Sequence, residues 1–107
     1  MANTENVSVQ KGDFGYNLAW TAYDNDGSVR DLAGKTITFK VWSPRVSGTL
    51  LVEETCTIDD AASGTYHYTV QSGDFDTVAV YMYDTESTAT GVVESISSGW
   101  FTVRESG

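Results

Sequence analysis

Alternation constrains the fold of this chain more than any other feature of its sequence. In Phe14, Tyr16, Leu18, Trp20 and Ala22, and again in Ile37, Phe39 and Val41, every second residue is apolar. A period of two places those side chains on one face of a pleated strand. Between the two runs stands Asp24-Asn25-Asp26-Gly27, residue types that accept the dihedrals of a chain reversal. The rhythm returns in Tyr66, Tyr68 and Val70 and in Phe101 and Val103, and no helical period is sustained anywhere. Roughly seven to nine short strands at this spacing predict an all-β, immunoglobulin-like Greek-key β-sandwich.

The same pattern sets the expected boundaries. Residues 1–6 read as a flexible polar tail and 7–105 as a single sandwich domain. Strands are expected at 7–10, 14–23, 35–42, 49–58, 65–70, 78–83, 92–96 and 100–103. The stretch 43–48 reads as a connector, with Pro44 ending the preceding strand, and 84–91 as an exposed polar one. Leu32 is expected beneath the sheet. The run 78–83 is apolar on both parities, as in a strand covered on both sides or lying at a subunit contact.

A chain of 107 residues makes one domain, large enough to build a core without a metal or disulfide. Its formal charge of −9, with six scattered Lys and Arg, opposes binding to phosphate backbones and anionic lipid. No nucleic-acid or membrane partner is expected. Cys56 is the sole cysteine, so no internal disulfide forms, in keeping with folding in a reducing cytoplasm. The N-terminus lacks the basic and apolar regions of a signal peptide, and no apolar run reaches the roughly 20 residues that span a bilayer.

The candidate chemical sites are sparse. Asp24, Asp26 and the following Gly27 resemble the start of a calcium loop, but Lys35 stands where the bidentate Glu would be. A connector turn is the simpler reading, and no metal or other cofactor is expected. His67, the single histidine, lies between two inward tyrosines and should face outward, with no activating Ser or Cys motif beside it. Cys56 reads as a small core hydrophobe rather than a nucleophile. These features predict no enzyme.

Exposed aromatics are the remaining signal. Parity sends Trp20 inward and Tyr23 and Trp42 outward. With Val78, Val80, Tyr81 and Tyr83 of the two-sided apolar run, Tyr23 and Trp42 are the interface candidates. Tyr23, Trp42 and Trp100 would alternatively suit a carbohydrate or cell-surface ligand. A third alternative, an acidic domain of a bacterial surface adhesin, predicts tandem copies in a longer parent chain.

The series Val7-Ser8-Val9-Gln10-Lys11-Gly12-Asp13, Asp31-Leu32-Ala33-Gly34, Ile37-Thr38-Phe39-Lys40-Val41, Gly64-Thr65-Tyr66-His67-Tyr68 and Gly99-Trp100-Phe101-Thr102-Val103 spans nearly the whole chain. In that order it resembles the immunoglobulin-like domain at the N-terminus of phage baseplate upper proteins and related tail proteins. The resemblance implies a non-enzymatic virion part, assembled in the host cytoplasm and packed against other virion proteins and copies of itself. In that family the domain often serves as the attachment base of a longer receptor-binding or fibre region. Two departures stand out: Ala79-Val80-Tyr81 replaces a Gly-x-Tyr, and the sequence stops at Gly107 with no fibre following. The latter suits either a small free-standing subunit or a cut-out domain.

Overall fold

The computed structural model describes residues 3–24, 26–43 and 50–105. Met1, Ala2, Asn25, positions 44–48 of the expected connector, Thr49, Ser106 and Gly107 lie outside the described residues. Nine strand segments are present among them: β1 (Asn3–Thr4), β2 (Val7–Gln10), β3 (Asn17–Thr21), β4 (Thr36–Trp42), β5 (Leu50–Thr55), β6 (Thr57–Asp60), β7 (Thr65–Thr69), β8 (Ala79–Ala89) and β9 (Val92–Arg104). They form two sheets. The larger runs β1-β9-β8-β4-β5, with β2 also on β9, and the smaller runs β3-β7-β6. All pairings are antiparallel except those of β1 and β2 with β9, which are parallel. This is a β-sandwich with immunoglobulin-like strand order.

The core lies between the sheets and is built by the alternation seen in the sequence. Trp20 (β3), Ile37, Phe39 and Val41 (β4), Tyr66 and Tyr68 (β7), and Phe101 and Val103 (β9) are all buried, as is Leu32. Phe39 is its hub, with ring centroids 5.5 Å from Trp20, 4.9 Å from Tyr68, 6.2 Å from Tyr83 and 5.9 Å from Phe101. These rings come from both sheets, so their packing holds the two layers together.

Several expectations are corrected. Residues 3–6 are not a loose tail. Asn3 and Thr4 pair with Ser97 and Ser98, the Glu5 amide donates to the Ser98 carbonyl, and the Trp100 amide donates to the Asn6 side chain. Gly99 permits this approach, because a Cβ there would lie 2.5 Å from the Glu5 carbonyl oxygen. Phe14 is not on the inner face of a strand. β3 begins only at Asn17, after a bend at Gly15, and leaves Phe14 60% exposed. The strand expected at 49–58 is two: the chain leaves the larger sheet at Cys56 and joins the smaller one as β6.

The polar stretch 84–91 is also not an exposed connector. β8 runs on to Ala89, burying Thr85 and Ser87. A hydrogen-bond network explains how hydroxyls are accommodated there. Tyr66 Oη and Thr85 Oγ1 are 2.8 Å apart and join the two sheets; Thr85 also donates weakly to the Ser97 carbonyl at 3.5 Å. Tyr83 Oη contacts Ser97 Oγ at 3.2 Å and donates to the Glu5 carbonyl at 2.5 Å. One end of the core is therefore polar, and it fastens the N-terminal segment.

Thr85→Val, which keeps the shape and removes the hydroxyl, should cost about 1–3 kcal/mol by stranding the Tyr66 hydroxyl. Adding Tyr66→Phe should recover part of that loss, since both partners are then apolar. A double-mutant cycle in urea reads the coupling. Strictly additive losses would mean that the two hydroxyls do not interact.

Candidate functional site

The strand registers bring a row of apolar side chains together on the outer face of the larger sheet. Trp42 lies opposite Leu50 on one side and Met82 on the other, and Met82 lies opposite Trp100. Leu50, Trp42, Met82 and Trp100 thus form one line across β5, β4, β8 and β9. Opposed residues in adjacent strands have Cβ atoms about 5 Å apart, so such a line is a continuous surface. Trp100 is 48% exposed, Leu50 43%, and Val80, next along the outer face of β8, is 51% exposed. No described element covers this row.

The neighbouring row is charged. Lys40 lies opposite Asp84 and Glu53, and its Nζ reaches Glu86 at 2.7 Å and Glu53 at 3.8 Å. The hydrogen bond that the ammonium donates to Glu86 holds the lysine pKa above its ordinary value. Burial raises the pKa of Asp84, against the lowering effect of a hydrogen bond donated by Ser95 Oγ. The face is apolar along one row and acidic along the next, a composition that sets the orientation of whatever packs on it.

The structure divides the six interface candidates. Trp42 and Val80 lie on this face, and Val78, exposed, leads into it just before β8. Tyr81 and Tyr83 do not: they are 8% and 1% exposed and point into the core. The two-sided apolar run resolves as ordinary alternation, with tyrosines inward and Val80 and Met82 outward. Tyr81 is instead a fold element. Its hydroxyl donates back to the Thr77 carbonyl at 3.4 Å, the geometry of the tyrosine corner of immunoglobulin-like sandwiches. Tyr23 lies two residues beyond β3, bridged to Val29, and borders a different surface.

Leu50 and Met82 are not among the interface candidates read from the sequence, and Trp100 is offered there only to a carbohydrate or cell-surface ligand. The signal was present, because inward Phe101 and Val103 oblige Trp100 to face outward.

The other candidates take structural roles. Asp24 accepts from Arg30 Nε at 3.0 Å, and Asp26 accepts from the Ser28 amide and hydroxyl at 3.0 and 2.6 Å. Arg30 also reaches Glu94 at 2.9 Å, so this turn is tied to the start of β9. Asn25 of the same motif lies outside the described residues. His67 faces outward with Nδ1 2.8 Å from Asp59. Cys56 is buried, and burial pushes its thiol pKa up to about 12, far from a thiolate at neutral pH.

No protein-family model matches the chain, and no curated protein matches it in sequence. Among solved structures there is a full-length likeness. The fold is that of the N-terminal domain of phage TP901-1 ORF48. The superposition has a TM-score of 0.63 at 18% identity and covers 98% of this chain and 91% of the ORF48 domain. At this identity the likeness to the ORF48 domain is one of fold, and it includes the N-terminal strands and the long β8–β9 hairpin within its span.

Proposed function

We propose that this chain is a non-enzymatic structural component of a phage virion, a tail, baseplate or decoration part. It packs against other virion proteins and copies of itself through the outer face of the larger sheet. The observation that carries the reading is the uncovered row Leu50–Trp42–Met82–Trp100. Aromatic and Met side chains of this kind dominate the energetics of protein contacts. The likeness to the phage ORF48 domain supports the virion setting, and so does the sequence resemblance to baseplate upper proteins. Assembly in the host cytoplasm accords with a chain whose one cysteine is buried and unpaired.

The test is a Trp42→Ser/Trp100→Ser chain, introduced into the phage genome that encodes it. Losing two aromatic anchors should weaken the contact by at least about 30-fold, the equivalent of about 2 kcal/mol. Mass spectrometry of purified particles should show the chain strongly depleted. Its thermal midpoint should move only slightly, because both side chains leave the core untouched. Normal incorporation would overturn the proposal. Light scattering over a range of concentrations should show a defined oligomer of the unmodified chain that the double variant loses.

A second reading is favoured by one observation, the two tryptophans of a single row, two strand spacings or about 10 Å apart. Such a pair presents apolar rings to the faces of a glycan. Quenching or enhancement of tryptophan fluorescence by polysaccharides, abolished in Trp100→Ser, would support it; a flat response across diverse sugars removes it.

A further inference from the structure

We infer that the free edge of β3 is a docking site for an extended, basic segment of a partner chain, which adds to the smaller sheet as a fourth strand. β3 pairs with β7 on one side and, among the described residues, has no strand partner on the other. The Ala22 amide donates to the Gly64 carbonyl, and the Val70 amide donates to the Tyr16 carbonyl. In an antiparallel ladder this fixes the even-numbered residues of β3 as those bonded to β7. The N–H and C=O groups of Ala19 and Thr21 therefore point away from the sheet, at the open edge. The N-terminal strands, which could have covered it, are paired to β9 instead.

Sheet edges are usually blunted, and the others here are. β5 carries Glu53 and Glu54 and a register shift, and β6 carries Asp59 and Asp60 and another. β1 and β2 are short and separated by a break. β3 presents Asn17, Ala19 and Thr21, with no charge, no proline and no register shift. Beside it a cavity of about 310 Å³ is lined by Ala19, Trp20, Thr21 and Tyr23, by Thr65 and Tyr66 of β7, by Glu5 and by Asp59 of β6, whose carboxylate also meets His67, so two acidic residues and an exposed ring border the strand. This lining suits Lys or Arg side chains, which carboxylates attract and an aromatic face accepts. A second copy of this chain is a poor occupant: it brings 15 acidic residues against six basic ones. The site is separate from the face of the larger sheet, and either can fail without the other.

The test uses the whole chain, isotopically labelled, and a synthetic eight-residue peptide alternating Lys with Val and Thr, beside its Glu-for-Lys counterpart. Amide shifts on titration should centre on Glu5, residues 17–21 and Tyr23. The Ala19 and Thr21 amides should exchange freely in the unbound chain and at least about tenfold more slowly with the Lys peptide. Thr21→Pro removes one outward donor without touching the β7 ladder and should abolish binding. Glu5→Gln should weaken it about threefold or more, and added salt should do the same. Trp42→Ser/Trp100→Ser should bind as the unmodified chain does. Protection of Ala19 and Thr21 in the free chain, equal binding of the Glu peptide, shifts centred on Trp100, or no binding at millimolar peptide would each overturn the inference. Should Thr21→Pro fail to fold, the exchange measurement on the unmodified chain decides.

Discussion

Phe39→Ala should remove about 3–5 kcal/mol of unfolding free energy, toward the upper end of what truncating a buried phenylalanine costs. The reason is the inability of its surroundings to collapse. Four rings meet Phe39, each from a different strand: Trp20 from β3, Tyr68 from β7, Tyr83 from β8 and Phe101 from β9. Two of them are fixed at their far ends. The Tyr68 hydroxyl donates to the Asp74 carboxylate, and the Tyr83 hydroxyl donates to the Glu5 carbonyl. Moving either ring inward to fill the void would break a hydrogen bond in a partly buried place, so the cavity persists. Domains of this size are commonly stable by only about 5–15 kcal/mol. Urea denaturation should show a midpoint sharply lowered with the slope unchanged. Phe39→Leu, which refills most of the volume, should cost less than half as much. A loss below about 2 kcal/mol for the alanine variant would mean that the rings relax despite their anchors.

The position of Phe39 was legible from alternation alone, as were those of Ile37, Val41, Tyr66, Tyr68 and Phe101, because a sheet with one covered face imposes a period of two on its sequence. What alternation could not show is burial decided by something other than a neighbouring apolar residue. Thr85 and Ser87 are polar, yet lie inside. Thr85 is accommodated by the Tyr66 hydroxyl and the Ser97 carbonyl, both on other strands, so 84–91 reads as a connector in the sequence. Phe75 lies in a turn with no periodicity and is buried because residues 71–75 fold over the sandwich end, with Asp74 accepting from the Gln71 amide and its ring 4.6 Å from Phe101. The first strand, β1, was hidden for another reason: its pairing and that of the following residues are held by backbone groups and by Gly99, and neither leaves a hydrophobic signature.

The candidate surface was half legible. Trp42 follows from parity, whereas Val80, Tyr81 and Tyr83 come together from the apolar character of both faces of 78–83, and of these three only Val80 faces outward. Knowing which parity is inward requires the partner strand. Once Tyr81 stands opposite Phe101, and Tyr83 contacts the Trp20 and Phe39 rings, the outward set follows without further choice. The row itself is a register property. Leu50, Trp42, Met82 and Trp100 are dispersed over half the chain, and only the pairings make them neighbours.

Gly64→Ala should destabilise the chain by about 2–5 kcal/mol, through two separable causes. Gly64 has φ +71°, where an L side chain is strained by about 1–2 kcal/mol. It is also buried against backbone: an added Cβ would lie 2.6 Å from the Arg30 carbonyl oxygen and 2.9 Å from that of Ala22. Those atoms cannot step aside cheaply. The Ala22 carbonyl accepts from the Arg30 amide at 2.9 Å, and the Ala22 amide donates to Gly64 itself at 2.8 Å. Arg30 is held in turn by Asp24 and Glu94, one contact of which reaches the opposite sheet. Gly91→Ala is the matched control, since Gly91 has φ +76° but no heavy atom within 4 Å of the added carbon. It should cost only the conformational part, so the difference between the two variants measures the clash. Equal losses would mean that the Ala22–Arg30 backbone yields. The consequence for function is local, because Gly64 closes the end of the β3–β7 ladder beside Thr21 and Thr65. At temperatures where the variant stays folded, it should perturb peptide binding at the β3 edge and leave packing through Trp42 and Trp100 intact.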